Sequence, residues 1–244
     1  MSPRITLWTA RRVLMQLRHD RRTVGMMLLV PAILLTLLRF IYDAKPQVFD
    51  HVGLTLLGVL PFTTMFLITS IGMLRERTSG TLERLLTTPM AKLDLLLGYG
   101  IAFAVAAALE TTVAAVVAFV FLGLDTAGSP FLVGVIAVAN AVLGTATGLL
   151  VSAFAYSEFQ AVQFMPAIVM PQVLLCGLIA PREQMAAPLR FASDLMPMTY
   201  AVEALDEVGK GNAGATMAVD VAVIVVVAFA ALALGAVTLR RRTA

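Results

Sequence analysis

Charge is scarce in this sequence: Asp, Glu, Lys and Arg together make up 14% of its 244 residues, against roughly a quarter in ordinary globular domains. A soluble domain of this size cannot be covered with so little polar surface, so a soluble enzyme is excluded. Cysteine is nearly absent, with Cys176 alone, which rules out a disulfide framework. The two histidines, His19 and His51, lie far apart, and with a single cysteine they form no metal-ligand spacing. Glycine has no triplet period, which excludes collagen, and the apolar runs are too long for a disordered chain. The strict alternation of barrel strands is missing as well. What is abundant is apolar sequence, 59% of residues, with mean hydropathy +0.90. These exclusions leave an all-α integral membrane protein of one domain.

A spanning helix needs about 20 apolar residues to cross a hydrocarbon core of roughly 30 Å. Six runs qualify: Val24–Ile41, Gly53–Leu74, Leu95–Leu122, Phe131–Ala155, Ala161–Ala180 and Met217–Leu239. Lys and Arg divide unevenly about them. Thirteen fall in the N-terminal arm (Arg4, Arg11, Arg12, Arg18, Arg21, Arg22), the second connection (Arg75, Arg77, Arg84, Lys92) and the C-terminus (Arg240, Arg241, Arg242), and five fall on the other side. The positive-inside rule then predicts both termini in the cytoplasm and insertion in the cytoplasmic (inner) membrane. The net charge of +3 follows from this and points to no nucleic-acid partner.

Residues 1–23 read as a cytoplasmic amphipathic helix rather than a signal peptide, because the basic region is long and Pro31 interrupts the apolar run that follows. Leu7, Ala10, Leu14 and Leu17 share one stripe beside Val13, and Arg11, Arg18 and Arg22 make a basic flank. That pattern predicts a helix lying on the inner leaflet. Residues 24–239 form the membrane bundle, and 240–244 a cytoplasmic tail.

Three connections carry information. In Arg75-Glu76-Arg77-Thr78-Ser79-Gly80-Thr81-Leu82-Glu83-Arg84-Leu85-Leu86-Thr87-Thr88-Pro89, Gly80 permits a sharp break. Thr81–Thr88 reads as a short helix stopped by Pro89, with Glu83 suited to its first turn and Leu82, Leu85 and Leu86 on one face. Such a helix packs onto the bilayer or into a groove of another protein, and spacing alone leaves both open. Tyr156–Gln160 is a tight hairpin in which Ser157 and Gln160 have capping-box spacing. Pro181–Thr216, broken by Pro188 and Pro197 and rich in apolar residues, predicts two short helices, one dipping back into the outer leaflet.

Inside the runs, Phe62, Met65, Phe66 and Thr69 follow i, i+3, i+4, i+7, and Phe164 and Met170 flank Pro166. Soft aromatic and thioether surface suits a pathway for amphiphiles, and equally suits ordinary packing. Gly144-x-x-x-Gly148 permits a close helix approach, expected within the chain. Glu110 is the unusual residue, about 22 Å along the third run. Asn140 lies about 14 Å down the fourth, within a turn or two of the same depth, so the acid is expected to be neutral, to face a water-filled path, or to pair with Asn140 by a hydrogen bond. In that case Glu110→Leu is modestly destabilising.

The six runs, the segment Arg75–Pro89, and the stretch Phe159-Gln160-Ala161-Val162-Gln163-Phe164-Met165-Pro166 through Pro171, Gly177, Pro181, Met185, Pro188 and Pro197-Met198-Thr199-Tyr200-Ala201-Val202 resemble ABC-2 type transporter permeases, in particular the actinobacterial daunorubicin-resistance-like exporters. The pattern of Glu76, Gly80, Thr81, Leu82 and Glu83 with a following Thr-Pro is the most specific part. The resemblance implies a half-transporter paired with a second copy, and separate ATPase subunits that carry ATP and magnesium. It makes the arm a connecting helix and Thr81–Thr88 the coupling helix, with Arg75, Glu76, Arg77, Gly80, Thr81, Leu82, Glu83, Leu85 and Leu86 at the contact. Glu110 and the acids Glu203, Asp206 and Glu207 depart from the pattern. No Gly-x-x-x-x-Gly-Lys-Ser/Thr occurs, so ATP hydrolysis is expected on another chain. This chain is expected to be no enzyme and to hold no cofactor or metal. The other readings are a proton-coupled transporter using Glu110 and a non-transporting scaffold or immunity protein.

Overall fold

The computed structural model of the chain describes residues 2–81 and 92–238. Among these, nine α-helices follow one another: α1 Pro3–His19, α2 Arg21–Ile41, α3 Pro46–Thr78, α4 Lys92–Val116, α5 Pro130–Val151, α6 Glu158–Leu175, α7 Ala187–Asp194, α8 Pro197–Gly209 and α9 Ala215–Thr238. A π-helical turn, Val117–Phe121, extends α4. Five of them are long and apolar enough to cross a membrane: α2, α3, α4 with its extension, α5 (with the short turn after it) and α9. The run expected over Ala161–Ala180 differs. It is helical only to Leu175, for about 27 Å at 1.5 Å per residue, and carries Gln160, Gln163 and Gln172. Gly177, at φ 101°, turns the chain away where a side chain would be strained.

The most extensive contact is between α3 and α5. A Cβ on Gly144 would stand 2.4 Å from the Phe62 carbonyl oxygen, and one on Gly148 would stand 2.1 Å from Thr69 Oγ1 and 2.5 Å from the Phe66 carbonyl oxygen. The glycine pair therefore acts within the chain, bringing two backbones into contact. The Thr69 hydroxyl crosses the seam to the Thr145 carbonyl at 3.3 Å. At 33 residues, α3 is about 50 Å long, so it overshoots a hydrocarbon core and carries Arg75, Glu76 and Arg77 clear of it.

The face that α1 buries overlaps the expected stripe without matching it. Thr6, Thr9, Ala10 and Val13 are buried and Leu14 and Leu17 are partly buried against the core, while Leu7 is 61% exposed. The cause is Gly98 on α4: a Cβ there would meet Thr9 Cβ at 2.6 Å and the Thr6 carbonyl oxygen at 2.9 Å. Only small side chains fit an approach that close. Buried Asp94 receives the start of α1, accepting from the Ser2 amide at 3.2 Å and the Thr6 hydroxyl at 3.5 Å, where a carboxylate suits a helix N-terminus.

The predicted hairpin cap is present: Ser157 Oγ accepts from the Gln160 amide at 3.2 Å, and Gln160 Oε1 accepts from the Tyr156 amide at 2.8 Å. At the other end of the bundle, two short helices, α7 and α8, follow Pro181. Leu205 of α8 fills the space beside Gly58 of α3. The unexpected acids there have local partners: Glu203 pairs with Arg182, Asp206 with Lys210 and His51, and Glu207 with Asn212. Arg182 pairs also with Asp194 of α7.

The seam makes a paired prediction. Gly148→Ala forces backbone apart and should lower the thermal midpoint in detergent, overpacking costing about 1–3 kcal/mol. Gly134→Ala, with nothing within 4 Å of the added carbon, should hold or raise it, since alanine is favoured in a helix by about 1 kcal/mol.

Candidate functional site

Because α3 presses one face onto α5, its opposite face is left to line a cavity of about 970 Å³. Leu56, Leu60, Thr63, Thr64, Leu67 and Ile71 form this wall. Met26, Met27 and Val30 of α2 face it, with Met165, Met170 and Val173 of α6 closing the side. Gln16, Asp20, Arg75, Glu76 and Tyr99 stand at one end. The site is therefore apolar along its length and polar at one mouth, which matches an amphiphile in shape and character.

Of the residues expected on a pathway, Met170 lines this cavity. Phe62, Met65, Phe66 and Thr69 do not. All four are fully buried, with Phe62, Phe66 and Thr69 against the α5 glycines and Met65 among Met27, Ala106, Ala107 and Ala141. Phe164 is partly buried against Leu74, Ala155 and Ala161 and also lies off the cavity. The i, i+3, i+4, i+7 spacing marks the seam, and the cavity wall is the opposite face.

Three consecutive side chains at the end of α3 reach three different elements. Arg75 makes a two-point pair with Glu158 of α6, at 2.7 and 3.1 Å, which holds the Glu158 carboxyl below the usual carboxylate range. Arg77 donates to the Ser152 carbonyl just after α5. Glu76 accepts from Arg12 at 3.2 Å and from Gln16 at 3.3 Å, both on α1. Arg12 donates in addition to the Tyr99 hydroxyl of α4 at 2.6 Å and lies 5.6 Å from the centre of that ring. Arg12 thus clasps the end of α3 to the start of α4, across the two stems of the connection between them. Gly80 has φ 72°, the sharp break its position predicts, and the Thr81 hydroxyl lies 3.0 Å from that of Ser79. The expected coupling helix, with Leu82, Glu83, Leu85 and Leu86, lies outside the described residues.

The profile of the ABC-2 type transporter family matches residues 4–208, most of the chain. The chain belongs to this family. It is 24% identical over 159 residues to the probable multidrug ABC transporter permease YbhR of Escherichia coli (strain K12), covering 62% of this chain and 43% of that protein. The probable multidrug ABC transporter permease YbhS of the same organism is 28% identical over 157 residues, 64% of this chain and 42% of the relative. ABC transporter G family member 20 of Dictyostelium discoideum is 23% identical over 159 residues, 65% of this chain and 22% of the relative. The chain spans less than half the length of these relatives.

In this ABC-2 chain the expected bond between Glu110 and Asn140 is not formed. Asn140 donates its amide to the Gly58 carbonyl of α3 at 3.1 Å. Glu110 lies beside Thr64 instead, six residues further along α3, and the Thr64 hydroxyl gives its proton to the Leu60 carbonyl at 3.0 Å. Neither Glu110 oxygen has a hydrogen-bond partner among the described residues, and the side chain is fully buried. The two residues thus meet α3 at points about 9 Å apart along it, and each faces a different neighbour.

This reverses the expectation for substitution. Glu110→Met keeps the volume and removes a buried carboxyl without partners, so it should raise the thermal midpoint, by on the order of 1–3 kcal/mol in stability. A lowered midpoint in detergent would contradict the unpartnered placement.

Proposed function

We propose that the chain is the permease subunit of an ATP-binding cassette exporter, moving a hydrophobic or amphiphilic compound across the cytoplasmic membrane. The observation that carries this reading is that Arg75, Glu76 and Gln16 belong both to the mouth of the cavity and to the network at the end of α3. A movement of the connection after α3 must therefore change the mouth. In this reading both termini and the α1 side are cytoplasmic, and α6 is the sixth, shortest span. The segment between α6 and α9 carries the re-entrant pair, and the coupling helix after Thr81 seats in an ATPase that holds ATP and magnesium. A second copy of the chain completes the transporter, as the family resemblance implies.

Glu110 supports the alternative of proton coupling, because a buried acid without partners is the residue a proton carrier requires. The two readings separate on energy source: the exporter stops on ATP depletion and keeps transport in Glu110→Gln, while the proton-coupled transporter does the reverse.

The coupling assignment has its own test. Leu85→Asp with Leu86→Asp places charges on the face meant for the ATPase groove, and an unpaired buried charge costs several kcal/mol, a thousandfold or more in affinity. Tagged wild-type chain purified from its own host should carry vanadate-sensitive ATP hydrolysis, and the double variant should insert normally and carry none. Arg12→Gln should retain the bound activity and transport less per ATP. Equal hydrolysis with wild type and double variant would eliminate the coupling helix.

A further inference from the structure

We propose that the outward face of α1 binds an anionic phospholipid of the adjoining leaflet, with the phosphate held by Arg11 and His19 beside Trp8. The inference goes beyond the transport reading and does not depend on it. With Thr6, Thr9, Ala10 and Val13 turned to α4, the helix presents Leu7, Trp8 and Met15 outward at 61%, 58% and 49% exposure. Arg4, Arg11 and Arg18, spaced i, i+7, i+14, run along the same exposed side, and Arg21 and Arg22 continue it.

Helix α1 contains no acidic residue. The one acid at its end, Asp20, is occupied by the Thr23 hydroxyl at 2.6 Å and amide at 3.1 Å. Arg12 is the arginine that turns inward to Glu76. The other five have no carboxylate partner among the described residues.

A groove of about 570 Å³ opens on this face, lined by Trp8, Arg11, Arg12, Met15, Gln16 and His19. The Arg11 guanidinium lies 5.2 Å from the centre of the Trp8 ring, which holds it at the groove and leaves its donors outward. Guanidinium matches phosphate geometry with two parallel bonds. Location selects the source of that phosphate. Only Asp20 separates α1 from α2, a helix able to cross a membrane, so the groove is fixed near the level where the chain enters the bilayer. Tryptophan, arginine and apolar side chains interleaved at that level fit lipid headgroups and the first carbons of the acyl chains. Charge complementarity therefore favours an anionic lipid, and an acidic face of a protein partner is the competing outcome.

Trp8 is the only tryptophan in the chain, which makes the test direct. The full chain is reconstituted in phosphatidylcholine vesicles with a minor fraction of phosphatidylglycerol brominated near the glycerol, or with the same fraction of phosphatidylcholine brominated alike. Trp8 emission should be quenched more strongly by the brominated phosphatidylglycerol. Arg11→Gln should reduce that preference about fivefold, the worth of one arginine at an anionic surface. Arg11→Lys, which keeps the charge that topology needs, should reduce it less, and Arg190→Gln at the far end should leave it unchanged. Inorganic phosphate at matched ionic strength should not relieve the quenching, as it would if a free anion were the ligand. Equal quenching by both lipids overturns the proposal, and so does no quenching by either, the result expected where a protein covers the face.

Discussion

The backbone contact between α3 and α5 at Gly144 and Gly148 is the constraint from which the rest of the arrangement follows. In hydrocarbon there is little hydrophobic gain from pressing apolar helices together, so close packing must supply the attraction. Two glycines one turn apart let Phe62, Phe66 and Thr69 of α3 settle against the α5 backbone. That contact fixes the rotation of α3 about its own axis. Once fixed, Thr63, Thr64, Leu67 and Ile71 cannot reach α5 and become the wall of the cavity. Asn140 adds a polar pin to the same seam through the Gly58 carbonyl.

The second constraint is length. A helix of about 50 Å cannot be contained in a hydrocarbon core of roughly 30 Å, and the surplus of α3 ends in three charged residues. Each is committed to a different neighbour, so the end of α3 is the junction of α1, α5 and α6 rather than a free stalk. Exposed ion pairs contribute little stability, and the Arg75–Glu158 pair, more than half exposed on each side, is better understood as setting position. The buried part of the junction, where Arg12 meets Tyr99 and Glu76, is the firmer link. The same residues form this junction and the cavity mouth, which is the link the proposed coupling requires.

Much of this was legible in the residues. The apolar runs correspond to helices, the Ser157–Gln160 spacing starts α6, Gly80 acts through its positive φ, and the Gly144–Gly148 pair acts through its missing side chains. What could not be read was rotation. A helix apolar on every side has no periodic signal to say which face meets a neighbour, so the aromatic and methionine positions on α3 suggested a pathway and proved to be the seam. The same blindness paired Glu110 with Asn140 by depth alone. For α1 the signal was displaced: Ala10, Val13, Leu14 and Leu17 of the stripe do turn inward, but Thr6 and Thr9 join them and Leu7 does not, because the missing side chain at Gly98 sets the contact with α4. In the short, glutamine-bearing α6 the helix persists, but it falls short of the length and apolar character of the five long helices.

In the transport reading, α3 presents to a substrate the face turned away from α5. Single cysteines placed at Thr63, Leu67 and Ile71, and at Phe62, Phe66 and Thr69, in a Cys176→Ser background measure this by their rate of reaction with N-ethylmaleimide in membranes. The first three should react, and an amphiphile should slow them, while the second three should stay inert. Reaction at Phe62, Phe66 and Thr69 with none at Thr63, Leu67 and Ile71 would contradict it.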